Sequence, residues 1–236
     1  MTDIDYLKKY YKGNIDDAIK RLNNGEPVQY IVGNVDFYNS NFIVNKNVLI
    51  PRFETEELVL NTVNFIKEFF NKPKVLDIGT GSGAIAISIK KDIDSIVYAT
   101  DISKEALEVA KENAKRNNVD INFVNTNIYD GIDEKFDVVI SNPPYIRYDE
   151  EIDELVKNNE PHIALYADNN GLYFYEEILK NIKTILNDKY LIAFEIGKDQ
   201  GEAINILKEK YLPESNIILK KDLEGRDRMI FIYNFE

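Results

Sequence analysis

The tetrapeptide Asn142-Pro143-Pro144-Tyr145 has the residue types and order best suited to chemistry in this chain. It follows an apolar run over 136–141, which predicts a buried strand ending at the edge of an open α/β sheet. Each proline disfavours the helical conformation of the residue before it, so the chain should leave the strand extended. The side-chain oxygen of Asn142 and the carbonyl oxygen of Pro143 can then converge on one target. Two converging acceptors fit a planar NH2 group, as transfer of a group onto an amide or exocyclic amine requires.

A plain turn is the alternative interpretation of this tetrapeptide, because Asn-Pro is a common turn signal after a strand. The catalytic interpretation requires a binding site for a second substrate nearby.

A glycine-rich turn provides such a site. The predicted strand 75–78 runs directly into Gly79-Thr80-Gly81-Ser82-Gly83, and a helix is predicted over 84–90. Glycines allow a tight turn and close approach of the backbone to a ligand, with the N–H groups of the helix behind them. The absence of a following Lys-Ser or Lys-Thr excludes a P-loop, and the glycine spacing differs from that of the dinucleotide fold. A nucleoside without a pyrophosphate fits this turn better.

Acidic and polar residues after the next two predicted strands support a nucleoside. Asp101, followed by Ile102, ends the predicted strand 95–100, about 20 residues beyond the glycines, where a ribose-binding carboxylate is found in nucleotide folds. After the strand 121–124, Asn127 could bind the edge of an adenine ring and Ile128 could cover its face. A loop carboxylate, a turn Asn and a core Ile are the respective alternatives. Asp77, just before the glycines, could accept from the turn or reach the ligand.

Composition narrows the class of protein. The chain has 236 residues, 44% hydrophobic and 30% charged, which fits one medium-sized domain with a short addition. The net charge of −12 disfavours nucleic acid as a partner and favours a basic protein. There is no cysteine and a single histidine, His162, which argues against disulfides and a metal site. Without an apolar run long enough for a membrane span or a signal peptide, we expect a soluble, cytoplasmic monomer.

The order of elements predicts an α/β fold with a doubly wound, mainly parallel sheet whose last strand is antiparallel. Residues 1–25 should form a short helical segment and residues 26–52 a β hairpin element, with the main domain over 53–236. Within these, helices are predicted over 4–11, 15–22, 172–186 and 200–210, and strands over 29–32, 42–44, 48–50, 190–196, 216–220 and 229–233. Asn14 and Ser103 are predicted to cap the helices that follow them, and Thr55 to cap the first helix of the main domain. Residues 147–160 are predicted to be a loop or short helix.

This pattern, with its Asp-Ile-Gly-Thr-Gly-Ser-Gly turn and closing hairpin, resembles the seven-stranded class I methyltransferase fold. The motif beginning at Asn142 resembles that of enzymes that methylate planar nitrogens. Further segments resemble the family that methylates the glutamine of the Gly-Gly-Gln motif in peptide-chain release factors. These segments are Pro27-Val28-Gln29-Tyr30-Ile31 with Gly33, Leu49-Ile50-Pro51-Arg52, Glu54-Thr55-Glu56, Glu160-Pro161, Glu195-Ile196-Gly197 and Gln200.

The resemblance implies S-adenosylmethionine as cofactor and a release factor as protein substrate. It places the cofactor against Asp77, the turn 79–83, Asp101, Ile102, Asn127, Ile128 and Asn142. It places the substrate amide against Asn142, Pro143, Pro144 and Tyr145, with Arg52 at the mouth of the site and Glu160 nearby. Two departures alter these implications: the family has a longer N-terminal helical domain than residues 1–25, and it has Asp where this chain has Asn127.

Two other functions are compatible with the same residues. Exocyclic amines of DNA or RNA are also planar NH2 groups, although enzymes that methylate them usually carry a target-reading region with a basic surface. The second compatible function is that of a catalytically silent cofactor-binding module that docks to the translation machinery.

Overall fold

The computed structural model of the protein describes residues 2–236, and its elements follow the predicted alternation. The strands are β1 (Asn34–Phe37), β2 (Ser40–Ile43), β3 (Lys74–Ile78), β4 (Ile96–Asp101), β5 (Asn122–Asn125), β6 (Phe136–Ser141), β7 (Leu186–Glu195), β8 (Asn216–Lys221) and β9 (Asp227–Tyr233). The helices are α1 (Asp3–Tyr10), α2 (Ile15–Asn23), α3 (Val28–Val32), α4 (Phe53–Phe69), α5 (Ala84–Asp92), α6 (Lys104–Arg116), α7 (Glu154–Asn159), α8 (Asp168–Gly171), α9 (Tyr173–Lys180) and α10 (Gly201–Tyr211). Within residues 2–236, no helix is both long and apolar enough to cross a membrane.

A seven-stranded sheet in the order β5-β4-β3-β6-β7-β9-β8 forms the centre of the fold. The five strands from β5 to β7 are parallel, and β9 runs antiparallel between β7 and β8. Alternate strand residues face opposite sides: Val75 packs into a core that includes α4 and α5, whereas Leu76 packs into one that includes α9 and α10. The predicted doubly wound sheet with an antiparallel last strand is confirmed.

The register of three central strands brings the functional segments together. Ile78, the last residue of β3, pairs with Thr100 of β4 on one side and Ser141 of β6 on the other. The Ser141 hydroxyl also donates to the Ile78 carbonyl, at 2.7 Å. Because parallel strands end at the same edge, the glycine turn, Asp101 and Asn142 all emerge there. We call this edge, where β3, β4 and β6 end, the carboxyl edge.

The predicted strand 29–32 is wrong, because this segment is the helix α3. Pro27 supplies a φ of −56°, suited to a helix start, and Gly33 ends the helix in the left-handed conformation at φ 82°. Val28 and Ile31 bury one helical face, three residues apart. Five residues are too few for helical periodicity to stand out from strand-forming Val, Tyr and Ile.

The hairpin after α3 differs from the strands predicted for this region. β1 was not predicted, and β2 covers most of the expected strand 42–44. Tyr38 and Asn39, at φ 44° and 59°, make the turn, as a two-residue hairpin with both central residues left-handed requires. The predicted strand 48–50 does not form, and the Ile50 N–H donates to the Glu160 carboxylate instead of to a strand.

Two helix predictions also need correction. Thr55 does not cap α4, whose cap residue is Arg52, and it lies inside the first turn. The helix predicted over 172–186 ends at Lys180 and is followed by a 3-10 turn, Ile182–Thr184, and by β7. The Thr184 hydroxyl donates to the Asn181 carbonyl, a local bond that competes with helix continuation. By contrast, the predicted caps Asn14 and Ser103 are confirmed.

Asn113 on α6 ties the hairpin to the glycine turn. Its buried side chain donates to the carbonyls of Ser82 and Ile43 at 2.8 and 3.0 Å and accepts from the Ile43 N–H at 2.7 Å. One amide therefore satisfies three backbone groups in two separate segments.

Replacing Asn113 by Ala should leave these three backbone groups unpaired. We expect the free energy of unfolding to fall by about 3 kcal/mol, measured by urea denaturation. The exposed Glu112→Ala variant in the same helix is the control and should change it by less than about 0.5 kcal/mol. Equal stabilities of the two variants would contradict this role.

Candidate active site

Two adjoining cavities lie at the carboxyl edge. The larger, of about 270 Å³, is lined by residues that include Gly79, Gly81, Asp101 and Ile128. The smaller, of about 230 Å³, is lined by Arg52, Tyr145, Glu195 and mainly aliphatic side chains. The residues that line both are Leu49, Asn142, Pro143, Pro144 and Ala164. The predicted motif thus forms the boundary between the two cavities.

The glycine turn faces the larger cavity through backbone rather than side chains. Gly79 and Gly81 line it, at φ 70° and 54°, a conformation that side chains rarely adopt. Thr80, Ser82 and Gly83 do not line the cavity. A Cβ on Gly83 would lie 3.0 Å from Ile87, so this glycine permits close packing behind the turn.

Asp77 braces the turn from below. It is fully buried, and its Oδ2 accepts from the Thr80 hydroxyl at 2.6 Å and the Ala86 N–H at 3.2 Å. Its Oδ1 has no hydrogen-bond partner within residues 2–236. Burial raises the pKa of Asp77 to about 7, against the lowering effect of the two hydrogen bonds and with a further rise from Asp101. Asp77 does not line either cavity.

Asp101 presents its carboxylate to the larger cavity. Its Oδ2 accepts from the Gly81 N–H at 2.8 Å and its Oδ1 from the Ser103 N–H at 2.9 Å. These two bonds fix the side chain, and each oxygen keeps a second lone pair for a ligand hydroxyl. Burial raises the pKa of Asp101, and its backbone hydrogen bonds oppose the rise.

Ile102, Asn127 and Ile128 line the same cavity. Ile128 adopts φ 54°, which is strained for a β-branched residue. The Thr100 hydroxyl holds its carbonyl at 2.6 Å. Backbone strain of this kind is common where a side chain is fixed beside a ligand. The cavity therefore combines apolar walls, a carboxylate and an exposed amide.

Asn142 is held by one hydrogen bond. Its Nδ2 donates to the Thr55 hydroxyl at 3.1 Å, and within residues 2–236 no donor pairs with its Oδ1 or with the Pro143 carbonyl. Two acceptor oxygens on adjacent residues are thus available at the boundary of the cavities. This is the arrangement predicted for binding an NH2 group.

Tyr145 lines the smaller cavity and is anchored at both ends. Its hydroxyl donates to Glu195 Oε1 at 3.3 Å, and its carbonyl accepts from Gln200 Nε2 at 3.1 Å. Burial raises the pKa of the hydroxyl, and Glu195 raises it further. The phenol is therefore a neutral donor directed at the protein interior.

Arg52 lines the smaller cavity, as predicted for a residue at its mouth. Its Nη2 lies 2.5 Å from Glu160 Oε1, and its Nη1 donates to the Ile50 carbonyl at 2.7 Å. Glu160 is buried and lines neither cavity; its other oxygen accepts from the Ile50 N–H at 3.1 Å. Glu160 therefore holds Arg52 and the segment before it in place.

Comparison with known proteins identifies the family. A protein-family model described as "Methyltransferase small domain" matches residues 55–160. A release factor glutamine methyltransferase of Streptococcus pneumoniae is 43% identical over 221 residues, which cover 92% of this chain and 78% of that protein. Its counterpart in Staphylococcus aureus is 40% identical and covers 96% of this chain and 82% of its own length.

The chain belongs to the release factor glutamine methyltransferase family. A solved protein-(glutamine-N5) methyltransferase (release factor-specific) from Alicyclobacillus acidocaldarius has 27% identity and a TM-score of 0.50, covering 81% of this chain and 98% of that one. The central sheet is accordingly a class I methyltransferase fold, as the resemblance implied.

Three residues support the motif at 142–145 but were not predicted from the sequence to belong to the site. Thr55 and Glu195 form the hydrogen bonds behind Asn142 and Tyr145. Gly171 adopts φ 81°, and a Cβ there would lie 2.2 Å from the Tyr145 carbonyl oxygen. The run Asn169-Asn170-Gly171 is the one available signal, because these residue types tolerate the left-handed conformation that all three adopt.

Gly171→Ala should displace the Tyr145 backbone. We expect the free energy of unfolding to fall by about 3 kcal/mol from the clash and the left-handed φ together. Gly131→Ala is the matched control, because Gly131 has φ 72° but nothing within 4 Å of a new Cβ. It should lose only about 1 kcal/mol. Equal losses in urea denaturation would show that the contact with Tyr145 is unimportant.

Asp77 should make stability depend on pH. Because its pKa is raised to about 7, the folded protein holds a proton that the unfolded chain has already released at lower pH. The stability linked to this proton is full at about pH 4 and is lost as the pH rises through 7. Relative to wild type, Asp77→Asn should therefore gain stability between pH 5 and pH 8, as measured by urea denaturation at each pH. The exposed Asp133→Asn variant gives the baseline, and a difference that does not change with pH would refute the assignment.

Proposed function

We propose that the protein transfers a methyl group from S-adenosylmethionine to the side-chain amide nitrogen of the Gly-Gly-Gln glutamine of a peptide-chain release factor. The observation that carries the proposal is the sharing of Asn142 and Pro143 by two adjoining cavities. One cavity suits a nucleoside, and the other suits an extended side chain that ends in an amide.

The larger cavity fits the methyl donor. The Asp101 carboxylate suits the paired hydroxyls of a ribose, and Ile102 and Ile128 offer apolar contact to an adenine. Gly79 and Gly81 let the donor approach the backbone closely. Asn127 would contact the adenine edge through its amide, in place of the carboxylate usual in the family. Bound there, S-adenosylmethionine supplies a methyl group activated by a positively charged sulfur.

The smaller cavity fits a glutamine side chain. Its walls include Leu49, Ile146, Ile152, Val156 and Leu165, which suit the methylene groups. Tyr145 is its one aromatic residue. A flipped base is usually held by stacking, so this lining favours a glutamine over an exocyclic amine of DNA or RNA. The net charge of −12 favours a basic protein surface as partner in the same way.

The mechanism follows from the two acceptors. An amide nitrogen is a weak nucleophile because its lone pair is delocalised into the carbonyl. Asn142 Oδ1 and the Pro143 carbonyl would accept both of its N–H groups, orient the nitrogen and stabilise the positive charge that develops on it. The surplus proton then leaves to solvent, so no histidine or cysteine base is required. Pro144 and the Tyr145 ring would pack against the side chain, and Arg52 would contact the polypeptide at the mouth.

Incubation of the protein with S-adenosylmethionine and a purified release factor should add one methyl group to the Gly-Gly-Gln glutamine, mapped by peptide mass spectrometry. Asn142→Ala should lower kcat by about 100-fold or more, while binding of the donor changes little. The exposed Asn64→Ala variant should behave as wild type.

Methylation of duplex DNA or ribosomal RNA with the glutamine unmodified would overturn the substrate. Full rescue of termination in cells by Asn142→Ala would instead favour a non-catalytic module.

A further inference from the structure

A buried chain of hydrogen bonds lies behind Asn142. The Thr55 hydroxyl donates to Glu195 Oε2 at 2.6 Å and accepts from Asn142 Nδ2 at 3.1 Å. Glu195 is 2% exposed and Thr55 is 5% exposed, so water does not compete for these positions. These hydrogen bonds link the end of β7, through α4, to Asn142 at the boundary of the two cavities.

The number of available protons determines which group donates and which accepts in these hydrogen bonds. A hydroxyl has one proton to donate, and an ionised carboxylate can only accept. Once Thr55 donates to Glu195, it can only accept from Asn142, so the NH2 side of that amide must face Thr55. The Asn142 oxygen is then directed away from Thr55 and is free to accept. A reversed amide would present a donor to the substrate nitrogen, which needs acceptors.

Burial disfavours the ionised form of Glu195, whereas the hydrogen bonds that it accepts and the nearby Arg228 favour that form. Its Oε1 accepts from the Tyr145 hydroxyl at 3.3 Å, so both carboxylate oxygens accept. Arg228 from β9 lies next to this pair, donating to the Tyr145 oxygen at 3.4 Å and to Asp222 at 3.2 Å. Two other ionisable groups face Glu195. The Glu54 carboxylate on α4 raises the pKa of Glu195, and the phenol of Tyr175 on α9 is buried beside it.

We infer that Thr55 is a positioning residue for Asn142, and that the ionised Glu195 carboxylate sets which side of the Asn142 amide meets the substrate. The inference rests on the proposed transfer to an amide nitrogen and deepens it. Thr55 lines neither cavity. Glu195 lines the smaller cavity, but Thr55 and Tyr145 donate to its two carboxylate oxygens, so both residues act through Asn142.

Protonation of Glu195 should remove the fixed direction of these hydrogen bonds. A protonated carboxyl can donate to Thr55, which frees the Thr55 proton for the Asn142 oxygen, so the Asn142 amide is no longer held one way round. Burial raises the pKa of Glu195 to about 7, opposed by its bond to Thr55 and by the nearby Arg228. The rate of methyl transfer should therefore fall as the pH drops below about 7.

The first test compares two substitutions at one position. Thr55→Val keeps the shape but has no hydroxyl, whereas Thr55→Ser keeps the hydroxyl. With release factor and S-adenosylmethionine as substrates, Thr55→Val should lower kcat about 100-fold, and Thr55→Ser should stay within about threefold of wild type. The affinity for S-adenosylmethionine, measured by calorimetry, should change less than about twofold in either variant. Equal kcat values for the Val and Ser variants would overturn the inference.

The second test uses Glu195→Gln and covers the case in which Thr55→Val fails to fold. A neutral amide at position 195 can either donate to Thr55 or accept from it, so the Asn142 amide loses its fixed direction. We expect kcat to fall about 10-fold and to lose its decline between pH 8 and pH 6. The exposed Asp133→Asn variant should keep that decline, because Asp133 takes no part in these hydrogen bonds. Retention of the wild-type pH profile by Glu195→Gln would refute the role of the carboxylate.

These outcomes are separate from failure of the proposed function. If wild type leaves the release factor unmodified, the proposed function is wrong. If wild type methylates it and Thr55→Val does so equally well, only the positioning role is wrong.

Discussion

The in-register pairing of β3 with β4 and β6 is the constraint on which the site depends. Ile78 pairs with Thr100 on one side and Ser141 on the other, so three strands end at one level of the sheet. The glycine turn, Asp101 and Asn142 are the next residues along these strands. A shift of one residue in any of the three would turn its side chains to the opposite face and move its polar residue away from the cavities. The relative positions of these site residues are thus set by the backbone hydrogen bonds between the three strands.

Three buried carboxylates brace the segments that leave this edge. Asp77 lies beneath the glycine turn, Glu160 holds Arg52, and Glu195 lies behind the Asn142 motif. Burial of a charge is costly even when it is paired, so such groups are weak evidence of stability. Each of them instead holds a turn or side chain in one orientation. The common pattern is a polar interior used to fix geometry at the cavities.

Sequence predicted the parts of the fold that carry strong local signals. Apolar runs located β6 to the residue, and side-chain caps placed Asn14 and Ser103 correctly. The short α3 was predicted as a strand, because a segment of five residues rich in Val, Tyr and Ile is compatible with either a helix or a strand. Thr55 was predicted to be a helix cap from its residue type. Its actual partner, Glu195, lies 140 positions away, so the local sequence pattern could not reveal it. The segments that reach the cavities were predictable from residue type and order, whereas the buried residues that support them were not.

The position of β9 between β7 and β8 has a consequence for synthesis on the ribosome. β9 pairs with both neighbours, and Met229 lies opposite Glu195. Until β9 emerges, β7 has an open edge, β8 has no strand to join, and Arg228 is missing from beside Glu195. Nascent chains are therefore vulnerable to edge-to-edge association at this stage. Because Arg228 lies on β9, the polar cluster behind the motif is complete only after β9 has joined the sheet.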